Sequence, residues 1–127
     1  MGAGSGGGPS ISGPSLQANI ARLQHKFTFS NQAGKFGVSG SGRARVIVSE
    51  NPKATARQFF ESLSIGSVKT KGAGWELGKF SDGSAVFFRP ISKSGGPAVN
   101  IKVKGSKPIR YKVHFEQTGW LNQGDKK

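Results

Sequence analysis

The apolar positions of this chain change period near residue 67. Before that point they recur at helical spacing. After it they alternate. Leu16, Ile20, Leu23 and Phe27 form one stripe of a helix that Ser15 is placed to cap. A polar, Gly-rich connection follows over residues 30–42, interrupted by Phe36 and Val38. The run Arg43-Ala44-Arg45-Val46-Ile47-Val48 predicts a short strand. Asn51 is a good helix cap with Pro52 at the first helical position. Ala54, Ala56, Phe59, Phe60 and Leu63 continue that helix as its apolar side, and Gly66 ends it.

From Ser67 onward the period of two predicts strands near 67–71, 75–80, 84–91, 97–103 and 109–115. Ser81-Asp82-Gly83-Ser84 reads as a hairpin turn, and Gly95-Gly96-Pro97 and Gly105-Ser106-Lys107-Pro108 punctuate the next two connections. The fold expected is α+β, with N-terminal helices followed by a twisted antiparallel sheet of four to five strands. Successive side chains on a strand point to opposite faces. Ile109, Tyr111, Val113 and Phe115 therefore point to a core, and Arg110, Lys112 and His114 point away from it. Val99, Ile101 and Val103 oppose Asn100, Lys102 and Lys104 in the same way. Lys69 and Lys71 share one side of a shorter run. Strands sharing one core are expected to gather these cations on a single sheet face. Trp75, Phe80, Phe87 and Phe88 are expected in the core, and any of them left exposed would offer a base a stacking surface.

Charge sharpens this picture. The chain has 127 residues, with 19 Lys and Arg against 6 Asp and Glu, a formal net charge of +13. The excess runs from Arg22 to Lys127, so the whole domain is basic and an anionic partner is implied. The length suits one domain, expected over residues 15–117. Residues 1–14 read as a flexible Gly/Ser/Pro-rich linker or expression remnant, and 118–127 as a polar tail. No apolar run approaches the ~20 residues needed to cross a bilayer, and no secretory h-region opens the chain. Cysteine is absent, and only His25 and His114 could supply imidazole, which argues against a structural zinc site. No carboxylate pair suggests glycosidase or two-metal chemistry, and no P-loop pattern is present. No cofactor is expected.

Metal-free RNA cleavage needs a base for the 2′-hydroxyl, cations for the phosphate and an acid for the leaving oxygen. His114 on the basic face is the first candidate for the proton-transfer role. Arg89 ends the run Val86-Phe87-Phe88-Arg89. The loop Ser92-Lys93-Ser94-Gly95-Gly96 after it offers hydroxyls and backbone N–H groups to a phosphate. Lys69, Thr70 and Lys71 lie on another strand, and Lys102, Lys104, Arg110 and Lys112 extend the RNA-binding face. His25 reads as a residue of the first helix's polar side.

The segment FSDGSAVFFRPISKSGGPAVNI, followed by IRYKVHFE, resembles the C-terminal toxin modules of bacterial polymorphic and contact-dependent toxin systems. Those modules belong to the barnase–EndoU–colicin–RelE superfamily of ribonucleases. The resemblance covers roughly residues 51–116. Leu23-Gln24-His25-Lys26-Phe27 and Phe36-Gly37-Val38 are more faintly similar to the opening of colicin D-type tRNases. Where that family has its histidine, this chain has Thr28-Phe29-Ser30, which leaves His114 as the candidate. The resemblance implies metal-independent cleavage of RNA, tRNA foremost, leaving a 2′,3′-cyclic phosphate. Arg89, Ser92, Ser94 and His114 would be site residues, with Lys71 or Lys69 beside them. It further implies an acidic immunity protein as partner, delivery as part of a larger protein and action in a target-cell cytoplasm. A Gly-rich head fits a module of that kind. The alternative is a basic sheet that binds RNA or DNA without cutting it. A membrane-acting toxin has no sufficiently apolar segment to support it.

Overall fold

A computed structural model of the chain describes residues 15–40, 44–91, 96–105 and 108–117. The Gly-rich head, the polar tail and Arg43 of the expected first strand lie outside these residues. Helix α1 spans Leu16–Leu23, and its Ser15 cap accepts a hydrogen bond from the Ala18 N–H at 3.1 Å. Helix α2 spans Pro52–Leu63. The Asn51 side chain caps it and Pro52 sits in its first turn, as the sequence predicts. Ala56, Phe59, Phe60 and Leu63 are the residues α2 buries.

The sheet is larger than the sequence pattern suggests. It has seven strands, in place of the expected four to five. These are β3 (Val38–Ser39), β4 (Arg45–Ser49), β5 (Val68–Gly72), β6 (Trp75–Lys79), β7 (Ala85–Arg89), β8 (Ala98–Val103) and β9 (Ile109–Gln117). Their order across the sheet is β3-β4-β9-β8-β7-β6-β5, and a separate hairpin pairs β1 (Phe29–Ser30) with β2 (Lys35–Phe36). The five strands of the C-terminal half form the antiparallel meander that alternation predicts. The two extra strands enter beside β9, where β4 pairs in parallel and β3 pairs antiparallel to β4. Parallel partners are far apart in the chain and leave no hairpin signal. Nor do the helices simply precede the sheet, because β4 comes before α2.

Both helices cover one face. Phe59 of α2 makes edge-to-face contacts with Phe27, Phe36 and Phe115 at 5.0, 4.9 and 5.3 Å between ring centroids, and Phe60 stacks on Phe88 at 5.4 Å. Val86, Val99, Ile101, Val113 and Ile47 complete this core from the sheet. Its polar tie is Asn19 of α1, which is fully buried. Asn19 Nδ2 donates to the Leu63 and Ile65 carbonyls at 2.7 and 2.9 Å, so one helix caps the end of the other. Tyr111 reaches across the core to accept a hydrogen bond from the Phe36 N–H at 3.0 Å, and burial pushes its phenol pKa up to about 12. Ile109 pairs with the core-side Val103 as expected, but it is 39% exposed, at the edge of a hollow that Gln17 and Ile20 of α1 also line.

The Ser81–Ser84 turn is a hairpin as expected. Gly83 takes φ +94°, a conformation that side chains resist, and Asp82 Oδ1 accepts from the Ser84 N–H at 2.8 Å. The buried Ser84 hydroxyl accepts in turn from the Lys104 N–H at 3.0 Å, fixing the turn to the end of β8.

Candidate nucleic-acid interface

Directly paired residues of neighbouring strands share a face, so the register lays out the sheet face away from α1 and α2. One row runs from His114 through Ala98 to Arg89. The next runs Lys112, Asn100, Phe87, Leu77, Thr70. A third runs Arg110, Lys102, Ala85, Lys79, Val68. The alternation that buries Tyr111, Val113 and Phe115 thus turns Arg110, Lys112 and His114 to this open face.

The small Ala98 separates His114 from Arg89. Adjacent strands lie roughly 4.8 Å apart, so the two backbones stand about 10 Å apart with no bulky side chain between them. Ala98 is only 4% exposed, so His114 and Arg89 flank a covered position and a phosphate would meet them at its rim. His114 is half-buried, and its pKa is held below the ordinary imidazole value. Burial is the main cause and the Lys112 charge adds to it, while Glu116 opposes both. His114 is therefore neutral at neutral pH and able to accept a proton.

Arg89 leans over the Phe87 ring, with its guanidinium carbon 5.3 Å from the centroid. Trp75 stacks on Phe87 as well, at 6.0 Å and 25° between the rings. Gly72 of β5 makes the indole's position possible, since a Cβ there would fall 2.6 Å from the ring. Trp75, Phe87 and Arg89 thus form a continuous π–cation column on the open face. Beside it is a hollow of about 380 Å³ lined by Phe87, Ala85, Asn100, Lys102, Arg110 and Lys112.

The expected site residues separate into groups. Arg89, His114, Lys112, Arg110, Lys102 and Thr70 share the open face. Lys69 and Lys71 do not, which corrects the expectation that they join it. Lys71 pairs with Glu76, and Glu76 binds Arg57 of α2 at 2.6 Å, so these lysines belong to the helix side. There they help Arg57 hold the Glu76 carboxyl below its usual pKa. The run Val68–Gly72 is exposed throughout, so nothing in its composition marks which face meets a core. Lys104 follows the end of β8 and packs its stem against Gly83 of the hairpin turn. Ser92, Lys93 and Ser94 lie outside the described residues. His25 is exposed in the turn after α1 and not on the helix.

Trp75 and Phe87 are half-buried on the open face, where the sequence reading expected core. Phe80 and Phe88 are buried as expected. The alternation already separates Phe87 from Phe88, because Phe87 falls in step with Arg89 and Ala85. Glu116 and Asn100 also join the face. Glu116 lies two residues from His114, a same-side spacing readable from the strand period alone. Among the described residues, no group of three His, Cys, Asp or Glu could hold a metal ion, and no helix is long and apolar enough to cross a membrane. Comparison of the chain with protein-family models, curated proteins and solved structures finds no match.

Proposed function

We propose that this domain is a metal-independent endoribonuclease. The observation that carries the reading is the row His114–Ala98–Arg89 with Lys112 beside it, on the sheet face turned away from α1 and α2. The neutral His114 imidazole takes the proton of a ribose 2′-hydroxyl. Arg89 and Lys112 stabilise the charge that builds on the phosphate as the 2′-oxygen attacks phosphorus, and the 5′-oxygen leaves with a proton taken from water, while the proton on His114 returns to solvent. The products are a 2′,3′-cyclic phosphate and a 5′-hydroxyl. The motif resemblance adds tRNA as the substrate to try first. It also supports a toxin role, with delivery on a larger protein into a target cytoplasm and an acidic immunity protein as partner. Carboxylates covering the open face would neutralise it and speed association by steering.

The test is digestion of total RNA and purified tRNA in EDTA. Cleavage should survive chelation and yield cyclic-phosphate ends. His114→Ala should lower the rate roughly 10²- to 10⁴-fold while RNA binding stays close to the parent's. A parental rate in His114→Ala, or activity that needs added Mg²⁺, refutes the mechanism. One observation favours a second reading, that of a binding module without catalysis. The turn of Lys69 and Lys71 to the helix side removes two cations from the neighbourhood of His114. RNA binding with no cleavage by the parent protein is the outcome that selects it.

A further inference from the structure

We propose that the Trp75–Phe87–Arg89 column is a base-stacking site, which makes unpaired RNA the preferred ligand of this face. The inference rests on the nucleic-acid reading of the face and specifies which form of nucleic acid it accepts.

Four observations meet here. The column is built from two half-buried aromatic rings and a guanidinium, with Trp75 and Arg89 each against Phe87 at 6.0 and 5.3 Å. Soluble sheets usually keep large rings on the core side, and here Phe88 and Phe80 do so. Trp75 and Phe87 instead share their face with cations. Gly72 lets the indole come close to the backbone of β5, at a position where any larger residue would collide with the ring. Beside Phe87 the hollow of about 380 Å³ is bordered by Lys102, Arg110 and Lys112. Asn100, between Phe87 and Lys112 in the same row, presents an amide that both donates and accepts.

A stacked base requires a π surface, and its phosphates require cations within one nucleotide's reach. The open face supplies both, in neighbouring rows. A duplex satisfies only the cations, because its bases are already stacked and turned inward. An unpaired base can leave its own stack, lie against the column and present its edge to Asn100. The adjoining phosphates then fall along Lys112 and on to Lys102 and Arg110 in one direction, with His114 and Arg89 in the row on the other side. Loops and single-stranded ends are consequently favoured over helical stems of equal charge.

The experiment reads binding and not cleavage. It uses the full chain carrying His114→Ala, so that RNA stays intact, and Trp120→Phe, so that Trp75 alone fluoresces. Three probes are titrated: a single-stranded oligouridylate, a hairpin-free RNA duplex of equal phosphate number, and heparin. The single strand should quench Trp75 and bind about tenfold more tightly than the duplex, the scale expected for stacking of one base. Adding Phe87→Leu should remove that tenfold preference and leave duplex affinity in place. Far-UV circular dichroism checks its fold. Trp75→Leu, read by anisotropy of a labelled oligonucleotide, should do the same. Equal affinity for the single strand and the duplex, or equal losses for both in Phe87→Leu, overturns the proposal. So does quenching by heparin as strong as by the oligonucleotide. Failure of the nuclease reading looks different. A parent chain that never cuts RNA, yet still prefers the single strand through Phe87, loses the catalytic assignment and keeps the stacking site.

Discussion

His114 gains its proton-accepting character from its neighbours. Burial lowers its pKa, Lys112 lowers it further, and Glu116 pulls it back up. Arg89 faces it across Ala98, while the facing β4 residue, Val46, brings no charge. A general base works in its deprotonated form, so the rate should rise with pH through the folded pKa and level off above it. That rise should lie below the ordinary imidazole range. Lys112→Gln should move it to higher pH, though still below the ordinary value, because burial remains. Glu116→Gln should move it to lower pH. NMR titration of the His114 ring should follow the same order. An unmoved rise in both variants would show that another group titrates. Of these residues, His114 and Lys112 were legible from the sequence, since a strict period of two fixes which side chains share a face. Glu116 obeys the same rule two residues on. Its role becomes visible only once the face beneath it is known to be open, and that depends on which strands and helices pack where.

Elements are joined here by single polar contacts as much as by apolar area. Asn19 satisfies two carbonyls at the end of α2 from inside α1. Asn19→Ala leaves the buried Leu63 carbonyl without this donor, while the part-buried Ile65 carbonyl can turn to water, at a cost of about 1–3 kcal/mol. The midpoint of urea unfolding should fall with little change in slope. An unchanged midpoint would mean that water replaces the amide without loss. The sequence announced both helices through Ser15, Asn51 and Pro52, because capping is local chemistry. It did not announce Asn19, which sits among apolar residues of a short helix and whose carbonyl partners are more than forty positions away. The strand β5 shows the opposite limit. Its alternation is clear, but both sides are exposed, so the pattern fixes two faces without saying which one turns to the helices. Lys69 and Lys71 were misplaced for that reason. Their true side is set by Glu76 across the ladder and by Arg57 beyond it.

Among the described residues the molecule is a sheet with both helices on one face and neither on the other. Its meander was legible because hairpins are local, and its seven-strand extent was not, because β4 and β9 meet across most of the domain. That pairing has a consequence for the order in which the chain can acquire structure. β9 follows every other strand in sequence, yet lies between β4 and β8 and carries His114, Lys112 and Arg110. During synthesis the β5–β8 hairpins can form as they leave the ribosome, whereas β3 and β4 have no sheet to join. Contacts of such long sequence separation form late. A nascent chain stopped at residue 107 should therefore remain sensitive to protease and bind RNA weakly, and extension through residue 117 should confer resistance and binding together. Protection that appears before β9 has emerged would contradict this order. Among the described strands β9 acts as a keystone, so the complete basic face exists only once that strand is free of the ribosome.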